Sequence, residues 1–487
     1  MNIDFTKIEA FVKANLPVFG VPGLSLAIVK GDDIIYEGCF GHKDVEHALT
    51  PDPHTRYACA SVTKAMTAAC LGILRDEGKI DWDVPVTEYL PEFRVFDPRD
   101  TARITLRDML AHNTGLPRHD AVWYNRKAVG PTTEELVAAI AHLPFNKPFR
   151  SKYEYNNLMF TTAGAVAARV SGMPWQAFIQ KRLFEPLGMH DTTAVIAGLR
   201  DADNKALPYA RGESGPTLTE YCDFDGMAGC GTVNSTIRDM AAWLSLQLGK
   251  GQYKGKRIIS EKTMAELHTA VVVSPPIPGY VIPQMPLTAY GFGWSTQPFR
   301  GRACLQHSGG IDGFSSYATF MPGEGYGIML FTNLGGNQLH FATAAFIYDL
   351  ILGESGTDWA ALYLDRTARQ QADLEAANAK LLAEALPGTA PTRPLEQYPG
   401  LYRHPGYGEL EITDGEPLEL RFNGITQRLI HSRYDSYVAE GVDAGDGLMP
   451  MRFTASADGP IDGVDAHFEP ALGAPIHFKK ICNSSEA

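Results

Sequence analysis

The chain has 487 residues, a formal net charge of −13 and 45% hydrophobic residues. That length accommodates two or three domains, and the acidic balance argues against nucleic acid or anionic membranes as partners. No stretch approaches the ~20 apolar residues that span a bilayer, residues 1–9 lack the basic and apolar regions of a secretory signal, and the seven cysteines never pair as C-x-x-C, so the expectation is a cytoplasmic protein with reduced thiols.

Phe5, Ile8, Phe11, Val12 and Leu16 recur at helical spacing, so the chain opens on an amphipathic helix broken by Gly20–Val21–Pro22–Gly23. Residues 24–29 and 34–36 read as two strands of a hairpin turning at Gly31–Asp32. The next helix is expected over residues 61–76 and stops at Glu77–Gly78. It carries Ser61 and Lys64 three positions apart, on one face, where the amine reaches the hydroxyl. Two readings fit the pair. Ser61 is a helix cap beside a solvated lysine, or it is a nucleophile whose base is a desolvated lysine, with the unpartnered N–H groups of the first turn facing an oxyanion.

A short helix capped by Thr105 runs into Ala111–His112–Asn113–Thr114–Gly115, where His112 reads as a buried histidine bonded to backbone or as a catalytic group. Residues 118–152 mix Trp123, Tyr124, basic residues and Pro131, with a helix near 133–142, in the manner of segments that shape pockets. Tyr153–Glu154–Tyr155–Asn156–Asn157 then opens an apolar helix over 158–170. A tyrosine near an ammonium can shuttle protons, and an asparagine beside it can hold a carbonyl and the lysine together or simply cap the helix. A Gly-rich turn over 227–235 leads into a helix over 237–248, and residues 274–286 hold five prolines in an extended loop. Strand-like runs follow at 290–294, 303–307, 315–320 and 327–332, with His307–Ser308–Gly309–Gly310 among them, alone no more than a turn. Glycines at a strand end let a substrate backbone approach, and the Gly310 N–H is a candidate oxyanion donor alongside Ser61. Helices are expected over 341–352 and 358–386, then a Pro-rich linker at 387–394. Beyond it, short alternating runs separated by Gly and Asp turns read as an all-β module of roughly 90 residues, barrel or sandwich.

Taken together, Ser61-x-x-Lys64, Tyr155-x-Asn157 and His307-x-Gly309 resemble, in type and order, the motifs of the serine β-lactamase and penicillin-binding-protein superfamily. The closer resemblance is to its class C β-lactamase-like branch of esterases, D-amino-acid peptidases and acyltransferases. Leu110–Ala111–His112–Asn113–Thr114–Gly115–Leu116, Gly291–Phe292–Gly293–Trp294 and residues 329–333 fit the same frame. The resemblance implies an α+β fold, an antiparallel sheet flanked by helices plus a helical subdomain, with the site between them. Tyr398–Pro399–Gly400–Leu401–Tyr402 and Gly406–Tyr407–Gly408 are similar to the small lipocalin-like β-barrel of some members. The expected organisation is a catalytic domain at 1–353, a helical and Pro-rich linker at 354–395, and an antiparallel barrel at 396–487.

For the site, the resemblance implies a Ser61 acyl-enzyme, Lys64 and Tyr155 as the proton acceptors, and the N–H groups of Ser61 and Gly310 as the oxyanion hole. Asn157 would position Lys64 and substrate, His307 would support Tyr155 or touch substrate, and Gly309, Trp123 and Tyr124 would line the substrate. No metal or cofactor is called for. The Lys-Thr-Gly or Lys-Ser-Gly third motif of β-lactamases is His307–Ser308–Gly309 here, which weighs against antibiotic or cell-wall chemistry. The expectation is a serine hydrolase acting on an ester or amide of a small molecule or short peptide. Acyl transfer, peptide cyclisation and weak β-lactam hydrolysis use the same acyl-enzyme and stay open, as does a catalytically silent binding protein. The barrel is expected to take no part in the chemistry. It restricts substrate size through the loops at 402–407 and 434–437, or only covers an apolar patch.

Overall fold

In the computed structural model, which describes residues 3–127, 129–274, 282–441, 447–456 and 459–482, the opening periodicity becomes helix α1 (Phe5–Phe19). Asp4 caps its start, Gly20 closes it at φ +67, and Ile8, Val12, Leu16 and Phe19 are its buried stripe. The hairpin follows as β1 (Gly23–Lys30) and β2 (Asp33–Gly41). These join an antiparallel sheet with β3 (Val272–Ser274), β4 (Thr288–Tyr290), β5 (Ser295–Thr296), β6 (Leu305–Ile311), β7 (Phe314–Met321) and β8 (Tyr326–Thr332), in the order β2-β1-β8-β7-β6-β5-β4-β3. Side chains alternate across a strand, and β1 serves two cores for that reason. Leu24, Leu26 and Ile28 join Ile8, Val12 and Leu339 on one face, while Ala27 and Val29 join Trp243 and Leu244 on the other.

The segment that carries Lys64 gives α2 (Thr63–Asp76), and the second motif opens α3 (Asn157–Ser171). Helix α4 (Ile237–Leu248) lies on one sheet face, α5 (Leu339–Leu352) and α1 on the other, and α6 (Trp359–Ala383) packs outside α5. Every residue of α2 from Thr63 to Leu74 is buried, because sheet-side and helical-subdomain elements close over it from both sides. A helix so enclosed carries no wet face.

Three local expectations change. The helix read over 61–76 starts at Thr63, and Ser61 sits instead on a 3-10 turn, Ala60–Val62, behind Ala60 at φ +46. The strand read over 290–294 ends at Tyr290. Gly293 takes φ +77 there, and a β-carbon on it would lie 2.7 Å from Ala65 Cα, so the chain turns against α2 instead of extending. His307–Ser308–Gly309 is no turn but the middle of β6. The Pro-rich stretch falls largely outside the described residues, at 275–281.

After α6 and the coil at 384–394, nine strands follow among the described residues: β9 (Gly400–His404), β10 (Gly408–Thr413), β11 (Glu419–Phe422), β12 (Ile425–Arg428), β13 (Ile430–Arg433), β14 (Ser436–Glu440), β15 (Leu448–Ala455), β16 (Ile461–Ala466) and β17 (Ile476–Cys482). Chain neighbours pair antiparallel except at the β12/β13 seam, and β9 pairs with β17, which makes a nearly closed barrel. Tyr402, Leu410, Ile412, Phe422, Phe453 and Phe478 fill it. Among the described residues no helix is long and apolar enough to cross a membrane.

Candidate active site

The three motifs, separated by more than 240 positions of chain, meet at one point. Ser61 and Tyr155 are partly open to solvent, while Lys64, Asn157 and His307 are buried. Lys64 Nζ donates to Ser61 Oγ and to Asn157 Oδ1, each at 2.9 Å, and Tyr155 Oη donates to Ser61 Oγ at 2.9 Å. The lysine ammonium also lies 4.9 Å from the centroid of the Tyr155 ring. The second motif resolves the asparagine alternatives by dividing them. Asn156 caps α3, accepting from the Met159 N–H at 2.8 Å, which aims its neighbour Asn157 at the lysine.

Strand β6 brings the third motif. It pairs with β5 only at Leu305 and Gln306, so the edge from His307 onward is unpaired on the side of Ser61. Gly309 is demanded by that approach: a β-carbon would lie 2.1 Å from Cys59 O, 2.4 Å from Ser316 Oγ and 3.0 Å from the Ser61 nitrogen. Gly310, next along, is exposed, and nothing lies within 4 Å of its β-carbon position. His307 has both ring nitrogens engaged. Nδ1 donates to Ser308 O at 2.6 Å and Nε2 accepts from Tyr290 Oη at 2.8 Å, with the ring 6.4 Å from that of Tyr155. His112 is the buried, backbone-bonded histidine, accepting from the Asn156 N–H at 3.1 Å, and its ring tilts onto Tyr155 at 4.3 Å.

Several contributors escaped the sequence reading. Asp120 Oδ1 accepts from Asn157 Nδ2 at 2.8 Å and from Trp123 Nε1 at 2.7 Å, and Arg118 pairs with its other oxygen. The Arg118 guanidinium also stacks 5.0 Å from the Tyr155 ring centroid. Cys230, from the Gly-rich turn, accepts from Lys64 Nζ at 3.1 Å and donates its thiol to Asn157 Oδ1 at 3.2 Å. No spacing rule links a lone aspartate or cysteine to a motif tens of residues away. The only hint was the unusual mix of residues around 118–124. Of the two aromatics there, Trp123 is half-buried on Asp120. Tyr124 is buried, with its hydroxyl at 2.7 Å on Asp312, which lines a small cavity with Gly231 and Ile311.

Burial penalises the charged form of Lys64, yet Cys230 and Tyr155 outweigh it and hold its pKa above the ordinary lysine value. Burial pushes His307 down to about 3, and the Lys64 charge adds to this, so it is a neutral imidazole at working pH. His112 is driven well below the usual histidine range by burial first, then by Lys64. Burial raises the Cys230 thiol while Lys64 opposes that rise. Among the described residues no group of three or more His, Cys, Asp or Glu could hold a metal ion.

Comparison with known proteins matches residues 10–351 to the Beta-lactamase family and residues 384–480 to a domain of unknown function, DUF3471. Unguisins hydrolase ungD' of Aspergillus campestris is 27% identical over 522 aligned positions, spanning 99% of this chain and 94% of that protein. Among solved structures, the octameric penicillin-binding protein homologue from Pyrococcus abyssi superposes with a TM-score of 0.64 at 21% identity, covering 98% of this chain and 100% of its own. The D-amino acid amidase from Ochrobactrum anthropi superposes at 0.61 and 22% identity, covering 72% of this chain and 98% of its own.

Proposed function

This chain belongs to the Beta-lactamase family, and we propose that it is a serine hydrolase opening an ester or amide bond through an acyl-enzyme on Ser61. One observation carries the reading: Ser61 Oγ receives hydrogen bonds at 2.9 Å from both Lys64 Nζ and Tyr155 Oη. A hydroxyl at its ordinary pKa is a poor nucleophile, and a base within hydrogen-bond reach activates it. For attack, one of Lys64 and Tyr155 first gives up its own proton and then takes the serine's, and Tyr155 delivers a proton to the leaving group. Asn157, anchored by Asp120, fixes the lysine. The Ser61 and Gly310 N–H groups receive the oxyanion, and Gly309 lets β6 come close enough for both to face it. His307 holds Tyr155 in place through ring packing, since both its nitrogens are engaged elsewhere. Trp123 borders the substrate through Asp120, and Tyr124 supports the cavity wall.

The name of the fungal relative, a hydrolase of unguisins, supports hydrolysis as the reaction class. We assign the chemistry to a catalytic domain at 1–353, joined by a linker at 354–395 to the barrel at 396–487, acting on a small molecule or short peptide in the cytoplasm. The test is an activity panel on the purified protein with p-nitrophenyl acetate, D-aminoacyl amides and nitrocefin. Ester or amide turnover that Ser61→Ala abolishes is expected. Turnover of none of the three, or turnover that survives the substitution, would overturn the reading.

A further inference from the structure

We propose that the C-terminal barrel is a positioning element of the catalytic network, acting through Tyr407 and Glu469 on buried His119 and from there on Asp120 and Asn157. The proposal rests on the Ser61 reading above and reverses the expectation that the body is chemically self-sufficient.

His119 is fully buried in the body, yet two of its four hydrogen-bond partners come from the barrel, the other two being Pro144 and the Val122 N–H. Its N–H donates to Glu469 Oε2 at 2.6 Å, and its Nδ1 accepts from Tyr407 Oη at 2.6 Å, while Nε2 donates to Pro144 O at 2.9 Å. Tyr407 and Glu469 are themselves 3% and 5% exposed, so neither has water as an alternative partner. Burial holds His119 down at about 4, which keeps the neutral tautomer those bonds require. The backbone there is strained, with φ +48 at a residue that carries a β-carbon. Such a conformation persists only where its surroundings over-determine it, and the barrel supplies two of the determinants.

The next residue is Asp120. From it the chain of contacts runs without a gap: Asp120 Oδ1 to Asn157 Nδ2 at 2.8 Å, then Asn157 Oδ1 to Lys64 Nζ at 2.9 Å. A second grip lies just downstream. Asn423, in the β11–β12 turn, donates to Ala121 O at 2.8 Å and to Tyr124 O at 3.1 Å and accepts from the Arg126 N–H at 2.8 Å. Of the two loops expected to approach the site, that at 402–407 does so through Tyr407. The loop at 434–437 does not: Asp435 bonds Thr392 and Tyr398, and Tyr434 is 53% exposed. Besides the apolar core that body and barrel share, the barrel places single, buried hydrogen-bonding groups on the residue that precedes Asp120.

The experiment measures kcat and KM of full-length variants on p-nitrophenyl acetate, whose acyl group is a two-carbon acetyl. Tyr407→Phe and Glu469→Ala are expected to lower kcat about 10-fold with KM unchanged, as for misplacement of a catalytic group by a fraction of an ångström. Glu469→Gln keeps an acceptor for the His119 N–H and is expected to recover most of the loss. Tyr398→Phe removes a buried hydroxyl from the same barrel, remote from His119, and is expected to lower the melting temperature while leaving kcat intact. Wild-type kcat in both Tyr407→Phe and Glu469→Ala would overturn the proposal, as would an equal kcat loss in Tyr398→Phe. If Tyr407→Phe does not fold, the Glu469 pair decides alone. Absence of wild-type turnover and of Ser61 labelling would instead overturn the hydrolase reading beneath it.

Discussion

Replacing Gly309 by alanine drives a methyl group into the backbone beside Ser61. The new β-carbon would lie 2.1 Å from Cys59 O, against 3.4–4 Å for ordinary contact, so backbone must separate by about 1 Å. Ser316 Oγ, at 2.4 Å, cannot absorb the clash by rotating away, because it donates to that same Cys59 carbonyl at 2.7 Å. The displaced carbonyl stands two residues before Ser61, whose own nitrogen is 3.0 Å from the added carbon. Overpacking of this kind costs about 1–3 kcal/mol of stability, and a 1 Å misplacement at a reacting centre costs about 10²-fold in rate. Initial rates on p-nitrophenyl acetate, read beside thermal melts by circular dichroism, separate the two effects. Gly310→Ala, with open space around it, should melt with the wild type. Wild-type kcat and melting temperature in Gly309→Ala would refute the claim that β6 and the nucleophile turn are in contact.

Nitrocefin should be turned over at a kcat/KM below that of p-nitrophenyl acetate, because neutral His307 offers a substrate carboxylate no fixed cation, and parity between the two would refute this. Cys230→Ala removes a group that holds the Lys64 pKa up, so the kcat–pH profile should move to lower pH, and an unmoved profile would deny Cys230 a role. The buried histidines His112, His119, His307 and His340 bind fewer protons folded than unfolded. Stability should therefore be fully present above about pH 6.5 and fall as pH drops toward 4. Asp225, Asp239 and Glu469, whose carboxyls burial raises, act in the opposite sense and blunt the fall. A melting temperature flat between pH 7 and pH 4 would contradict this.

The parts of this molecule legible in its sequence are those where a local pattern carries its own chemistry. Ser61 and Lys64 stand three positions apart, Tyr155 and Asn157 bracket a helix cap, and alternation after residue 396 announces strands. The illegible parts depend on contacts across long separations. Nothing around Cys230 signals that its sulfur meets Lys64, 166 positions away, and nothing around Asp120 signals Asn157, 37 away. The strand misread at 290–294 has the same origin: Gly293 turns because α2 occupies the space an extended chain would need. Loops behave likewise, since the aromatic content of 434–437 was read as a reaching surface, whereas Tyr437 is committed to the barrel core.

The most direct measurement is covalent labelling of the full-length protein with a fluorophosphonate, followed by trypsin digestion and mass spectrometry. Cleavage after Arg56 and Lys64 releases residues 57–64, in which Ser61 is the sole serine. One adduct on that peptide is expected, with ester turnover lost in step with labelling and reduced on the order of 10³-fold or more in Ser61→Ala. An adduct on any other serine, or full turnover by protein already labelled at Ser61, would contradict the account.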